Sequence, residues 1–230
     1  MPTGIYHISA LISILTNIVT LLIGVFYCYR SQNPSYMRIF PVYLFISAAV
    51  EFFADADILT LFRYRPFGNY HDYVASAIYN LYTPFELFIF AWFLLRIIRS
   101  AMIKRLVIGL LTLYCLFFII YSVRLDIRKN SNMISIILEN VIIIIPCLTW
   151  YRELFTRSEP VNLYREPAFW LVTGIFFYLA TVTPFYVASI YLISHRLRGL
   201  FETFSSINNI SLMITYMLFI KGFTCRIRRS

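Results

Sequence analysis

Charge is scarce in this 230-residue chain, where Asp, Glu, Lys and Arg together make 13% of residues, against about 25% in soluble domains. The deficit excludes a soluble globular fold, because 60% of the residues are hydrophobic and the mean hydropathy is +0.73, more apolar surface than a soluble core of this size can hide. Histidine is rarer still, and His7, His71 and His195 stand alone in their segments. Without an HxxxH or HxxE spacing, no helix face offers two metal ligands, so no metal or other cofactor is expected. The same lack argues against the seven-span zinc hydrolases of the ceramidase and progestin-receptor-like group, which pair histidines in their last span. The three histidines fall at one predicted end of the molecule, near Asp72 and Glu202, and are at most weak metal candidates. The last apolar run has only Lys221, near its end, which argues against a retinal Schiff base at mid-membrane.

What is present is a series of long apolar runs. About 20 apolar residues suffice to cross the hydrocarbon as a helix, and seven runs qualify, approximately 7–28, 39–62, 73–98, 106–123, 133–150, 169–194 and 207–223. The chain therefore reads as one all-α domain over 1–230, a polytopic seven-helix bundle. The N-terminal MPTGIYH has no Lys or Arg and the first run is too long for a signal-peptide core, so it is expected to be a retained span. The fourth run has neither carboxylate nor proline and is expected to face lipid.

The net charge of +9 lies in the short segments between these runs, a pattern of orientation and lipid-headgroup contact that excludes a nucleic-acid partner. On one side fall Arg63, Arg65, Arg124, Arg128, Lys129, Arg196 and Arg198; the other thirteen of the 20 Lys and Arg fall opposite. By the positive-inside rule the N-terminus is outside and the C-terminus cytoplasmic. Cys28, Cys147 and Cys225 lie at or beyond cytoplasmic ends and Cys115 lies within span four, so no structural disulfide is expected.

With that orientation the polar residues inside the spans crowd the outer half. At ~1.5 Å per residue, Asp57, Asp55 and Glu51 lie roughly 6, 9 and 15 Å below the outer surface, and Asn80, Thr83 and Glu86 roughly 10, 15 and 20 Å. Glu139 and Asn140, Thr183 and Ser189, and Asn208 and Asn209 share that layer. An acidic side chain near mid-span costs at least ~2.5–3.5 kcal/mol unless it faces protein, water or a partner. Glu51 and Asp55, four apart, share a helix face, and Tyr79, Thr83 and Glu86 form a stripe at i, i+4 and i+7 that lines either a cavity or a packed seam. Glu51, Asp55, Asn80, Thr83, Glu86, Glu139 and Asn208 are thus the candidates for ligand binding or proton carriage. The bland reading of the amides and hydroxyls is interhelical glue, at ~0.6 kcal/mol per bond. Most of the 18 Tyr, 22 Phe and 3 Trp are ordinary for a membrane chain, at interfaces and in packed positions.

Pro84 removes the partner of the Asn80 carbonyl and is expected to bend its helix. Thr83-Pro84-Phe85 recurs as Thr183-Pro184-Phe185 in span six, and Pro146 interrupts span five; paired interrupted helices point toward transporter sites.

The segments REPAFWLVTGIFFYLATVTPF (165–185) and SSINNISLMITYMLFIKGF (205–223) resemble the sixth and seventh spans of a broad group of uncharacterised bacterial seven-span membrane proteins, and YNLYTPFELFIFAWF (79–93) is similar to their third. The resemblance implies a multi-pass protein of the bacterial inner (cytoplasmic) membrane and brings no activity with it. Similar modules form the sensory portions of some signalling proteins; with so few residues after span seven, a sensory role is expected to use a separate signalling protein. The first expectation is therefore a ligand-binding or sensory module whose partners are the lipid bilayer and a small-molecule or lipid ligand. A small proton-coupled transporter is the second. An intramembrane lipid-modifying enzyme is third, without a nucleophile and base to support it.

Overall fold

A computed structural model describes residues 2–29, 34–54, 71–124, 133–156 and 162–225. Seven α-helices follow one another: α1 (Pro2–Cys28), α2 (Ile39–Ala54), α3 (His71–Ile97), α4 (Ala101–Arg124), α5 (Met133–Phe155), α6 (Pro167–Ser194) and α7 (Arg198–Thr224). Short 3-10 turns, Ser35–Arg38 and Leu163–Arg165, lead into α2 and α6, and the described residues contain no strand. Each helix, α2 together with its turn, is long and apolar enough to cross a membrane.

Six helices close a ring. α7 packs on both α1 and α6, α2 lies between α1 and α3, and α5 lies between α3 and α6. α4 stands outside against α5, with only 17% of its span buried against 50% for α3. Close approach within the ring depends on small residues, as is usual between membrane helices. A Cβ on Gly174 would sit 2.6 Å from the ring of Phe219, and one on Gly222 would sit 3.0 Å from Leu171.

The end of the ring where α1, α3, α5 and α7 finish is filled by aromatic packing. Phe40 meets Phe93 and Phe219 edge-on at 4.9 and 5.3 Å between centroids, within the range of favourable aromatic pairs. Phe223, Met37, Leu94 and Trp150 complete this block, all without solvent exposure or nearly so.

Several helix limits differ from the apolar runs, and α1 already begins at Pro2 rather than near 7. α4 begins at Ala101 rather than near 106, because Ser100 caps it: its Oγ accepts the Ile103 N–H at 3.4 Å. The Glu153 carboxylate on α5 accepts the N–H groups of Arg99 and Ser100 at 2.8 and 2.9 Å, which also explains why α5 continues past 150 to Phe155. α7 begins at Arg198 rather than 207. The reversal before it is tight, with Arg196 in the left-handed region at φ 56° and the Leu197 N–H closing on the Leu192 carbonyl at 2.9 Å. Pro84, Pro146 and Pro184 all lie inside continuous helices. The second run was expected to reach residue 62; beyond Ala54 it lies outside the described residues.

Candidate ligand cavity

A cavity of about 480 Å³ occupies the other end of the ring, between α1, α2, α3, α5, α6 and α7. Helix alternation produces it: the starts of α1, α3, α5 and α7 and the ends of α2 and α6 meet in one layer, and that is the layer in which the sequence carries its intramembrane polar groups. Glu51, Asn80, Thr83, Glu86, Glu139 and Asn208 all line the cavity. Asp55 and Asp57 lie outside the described residues.

The carboxyls enter from three helices, Glu51 from α2, Glu86 from α3 and Glu139 from α5. Glu86 is 7% exposed and Glu139 2%, so both are shielded from lipid. The Tyr43 hydroxyl donates to Glu86 Oε1 at 2.8 Å. Tyr216 donates to Glu51 Oε1 at 3.2 Å. Glu86 lies within electrostatic range of both Glu51 and Glu139. Among the described residues, Ser13 Oγ on α1 and Asn208 Oδ1 on α7 reach the lining without a hydrogen-bond partner. Among the described residues that line the cavity, none is Lys, Arg, His or Cys.

The amides divide between cavity and seam. Asn140 Nδ2 donates to Thr183 Oγ1 at 3.0 Å, and Thr183 donates in turn to the Leu179 carbonyl at 2.6 Å, a bond that ties α5 to α6. Asn17 joins Ser47 across α1 and α2 at 3.4 Å. Asn209 lines the cavity and also donates to Ser9 at 3.1 Å, tying α7 to α1. Tyr79, Thr83 and Glu86 all reach the cavity wall, and Thr83 donates to the Tyr79 carbonyl at 3.0 Å. Thr83 and Thr183 thus make the same bond to the carbonyl four residues back, each directly before its proline.

The tyrosines are what sequence reasoning missed. Tyr43, Tyr79, Tyr82, Tyr178 and Tyr186 line the cavity, yet only Tyr79 stood out, since Tyr is common in membrane chains. A signal was present in α2: Tyr43, Ser47 and Glu51 recur at i, i+4 and i+8 and mark one helix face.

The histidines do not join this site. His195 ends α6 as an exposed residue, its ring stacked 4.0 Å from Tyr191 and its Nδ1 3.0 Å from both Ser194 Oγ and the Tyr191 carbonyl. His7 is on α1 outside the lining, and the side chain of His71 lies outside the described residues. Among the described residues no three His, Cys, Asp or Glu side chains are grouped to hold a metal ion. Comparison with protein-family models, curated proteins and solved structures gives no match.

Proposed function

We propose that this chain is a ligand-binding or sensory module of a bacterial inner membrane, with its N-terminus and its cavity on the outer side and its C-terminus in the cytoplasm. The observation that carries this reading is the asymmetry of the ring. One half surrounds a 480 Å³ space with carboxyls, amides and hydroxyls, within the ~300–1,000 Å³ usual for small-molecule sites. The other half is packed with Phe40, Phe93, Phe219, Phe223 and Trp150. A receptor needs access from one side only, and a closed inner half suits it. Occupancy is then passed to a separate signalling protein in the cytoplasm.

A second reading, a small proton-coupled transporter, is favoured by the three prolines inside α3, α5 and α6, all helices of the cavity wall, with Glu86 as proton carrier. The experiment that separates the two is solute flux in proteoliposomes, with ligand-induced thermal stabilisation measured in parallel on wild type and Glu86→Gln. A receptor shows stabilisation and no flux in either form. A proton-coupled transporter shows pH-driven uptake that Glu86→Gln abolishes, and that result would overturn the proposal.

A further inference from the structure

We propose that the cavity takes an organic cation, a molecule with an ammonium group on an apolar body. This rests on reading the cavity as a ligand site and adds the chemical class of its occupant. Three carboxyls converge from α2, α3 and α5, and no basic side chain accompanies them among the described lining residues. Carboxyls that face one poorly solvated space repel one another when ionised, and a cation in that space relieves the repulsion. Glu139 is only 2% exposed yet lines the cavity. Ser13 Oγ, on a residue 3% exposed, and Asn208 Oδ1 reach the lining without a partner among the described residues. Both atoms can accept a hydrogen bond from an N–H donor.

The walls choose between an organic and an inorganic cation. A calcium ion takes six to eight oxygens at about 2.3–2.6 Å, a convergence that a wide cavity with its carboxyls on three separate helices does not offer, and no metal-holding group occurs among the described residues. Beside hydroxyls and amides, the wall includes the aromatic rings of Tyr82, Tyr178, Tyr186 and Phe185 and the aliphatic side chains of Ile14 and Leu212. Aromatic faces attract ammonium groups, and the aliphatic side chains accept a hydrocarbon body. An anion is disfavoured by the same carboxyls. The ammonium can belong to a free amine or to the headgroup of a bilayer lipid.

The test uses the full chain in nanodiscs near neutral pH and three probes of one shape: phenethylammonium, neutral 2-phenylethanol and anionic 3-phenylpropionate. Calorimetric titration of the wild type is expected to show phenethylammonium bound at least about tenfold more tightly than 2-phenylethanol, and 3-phenylpropionate not bound. Glu139→Gln and Glu86→Gln, with unfolding temperatures measured to establish folding, are expected to weaken phenethylammonium about tenfold or more and leave 2-phenylethanol unchanged. Equal or tighter binding of the neutral or anionic probe overturns the assignment of charge while leaving the cavity as a ligand site. Absence of binding by all three overturns both. Repeating the titration in phosphatidylglycerol bilayers with and without phosphatidylethanolamine distinguishes the sources: competition by phosphatidylethanolamine identifies a lipid ammonium, and its absence a free amine.

Discussion

Glu86 shows how a costly side chain is made tolerable inside an apolar helix. Its carboxyl accepts the Tyr43 hydroxyl from α2, so the two side chains need each other. Glu86→Gln keeps an acceptor for Tyr43 and is expected to unfold within a few degrees of wild type. Glu86→Leu leaves the Tyr43 hydroxyl without its acceptor at a buried site, a loss of about 1–3 kcal/mol, and is expected to lower the unfolding temperature of the detergent-solubilised protein clearly. Wild-type stability in Glu86→Leu would mean that the carboxyl has no part in this pairing. Tyr43→Phe tests the same bond from its donor and is expected to cost about 1 kcal/mol by the same measurement. The carboxyl was legible from the chain alone because an acidic side chain within an apolar run has few inexpensive places to go. Tyr43 was not, because a tyrosine fits an interface, a lipid-facing position or a cavity wall equally well, and only the neighbouring helix decides.

The helices could be recognised as apolar runs because hydropathy reports the length of chain that lipid can cover. Their ends were less legible, since a basic or polar segment such as Ala101–Arg105 or Arg198–Ser206 remains helical outside the apolar stretch whenever a cap or a tertiary contact satisfies its backbone. The clamp by Glu153 is one such contact: Glu153→Ala removes two N–H acceptors at the α3–α4 turn and is expected to increase hydrogen exchange at Arg99 and Ser100. Pairing between helices was hidden as well, because two glycines of identical hydropathy have opposite surroundings. Gly174 faces Phe219, whose ring is held by Phe40 and Phe223, whereas Gly109 on the outlying α4 has nothing within 4 Å. Gly174→Ala is therefore expected to lose about 1–3 kcal/mol from overpacking, and Gly109→Ala to match or exceed wild type in thermal unfolding. Equal stability of the two variants would contradict the α6–α7 contact.

Across the whole molecule, direction in the membrane and the polarity of the two halves are linked. By the positive-inside rule, the seven-to-thirteen division of Lys and Arg predicts that the cavity layer faces outside. A reporter fused after Ser230 is accordingly expected to be active only as a cytoplasmic reporter, and one fused after Asn69 only as an external one. The reverse pattern at both sites would turn the cavity to the cytoplasm. That one layer of the chain is polar could be read from residue depth, but that six helices share it as a ring, with α4 outside, depends on which faces meet. Hydropathy carries no such information. The central claim, that this layer encloses a ligand site, is tested most directly by an experimental density map of the purified protein in a lipid nanodisc. The account predicts density belonging to no part of the chain between Tyr43, Glu86, Glu139 and Asn208, in contact with at least one carboxyl. A ring whose side chains close inward on that space, leaving room for no more than isolated waters, would contradict it.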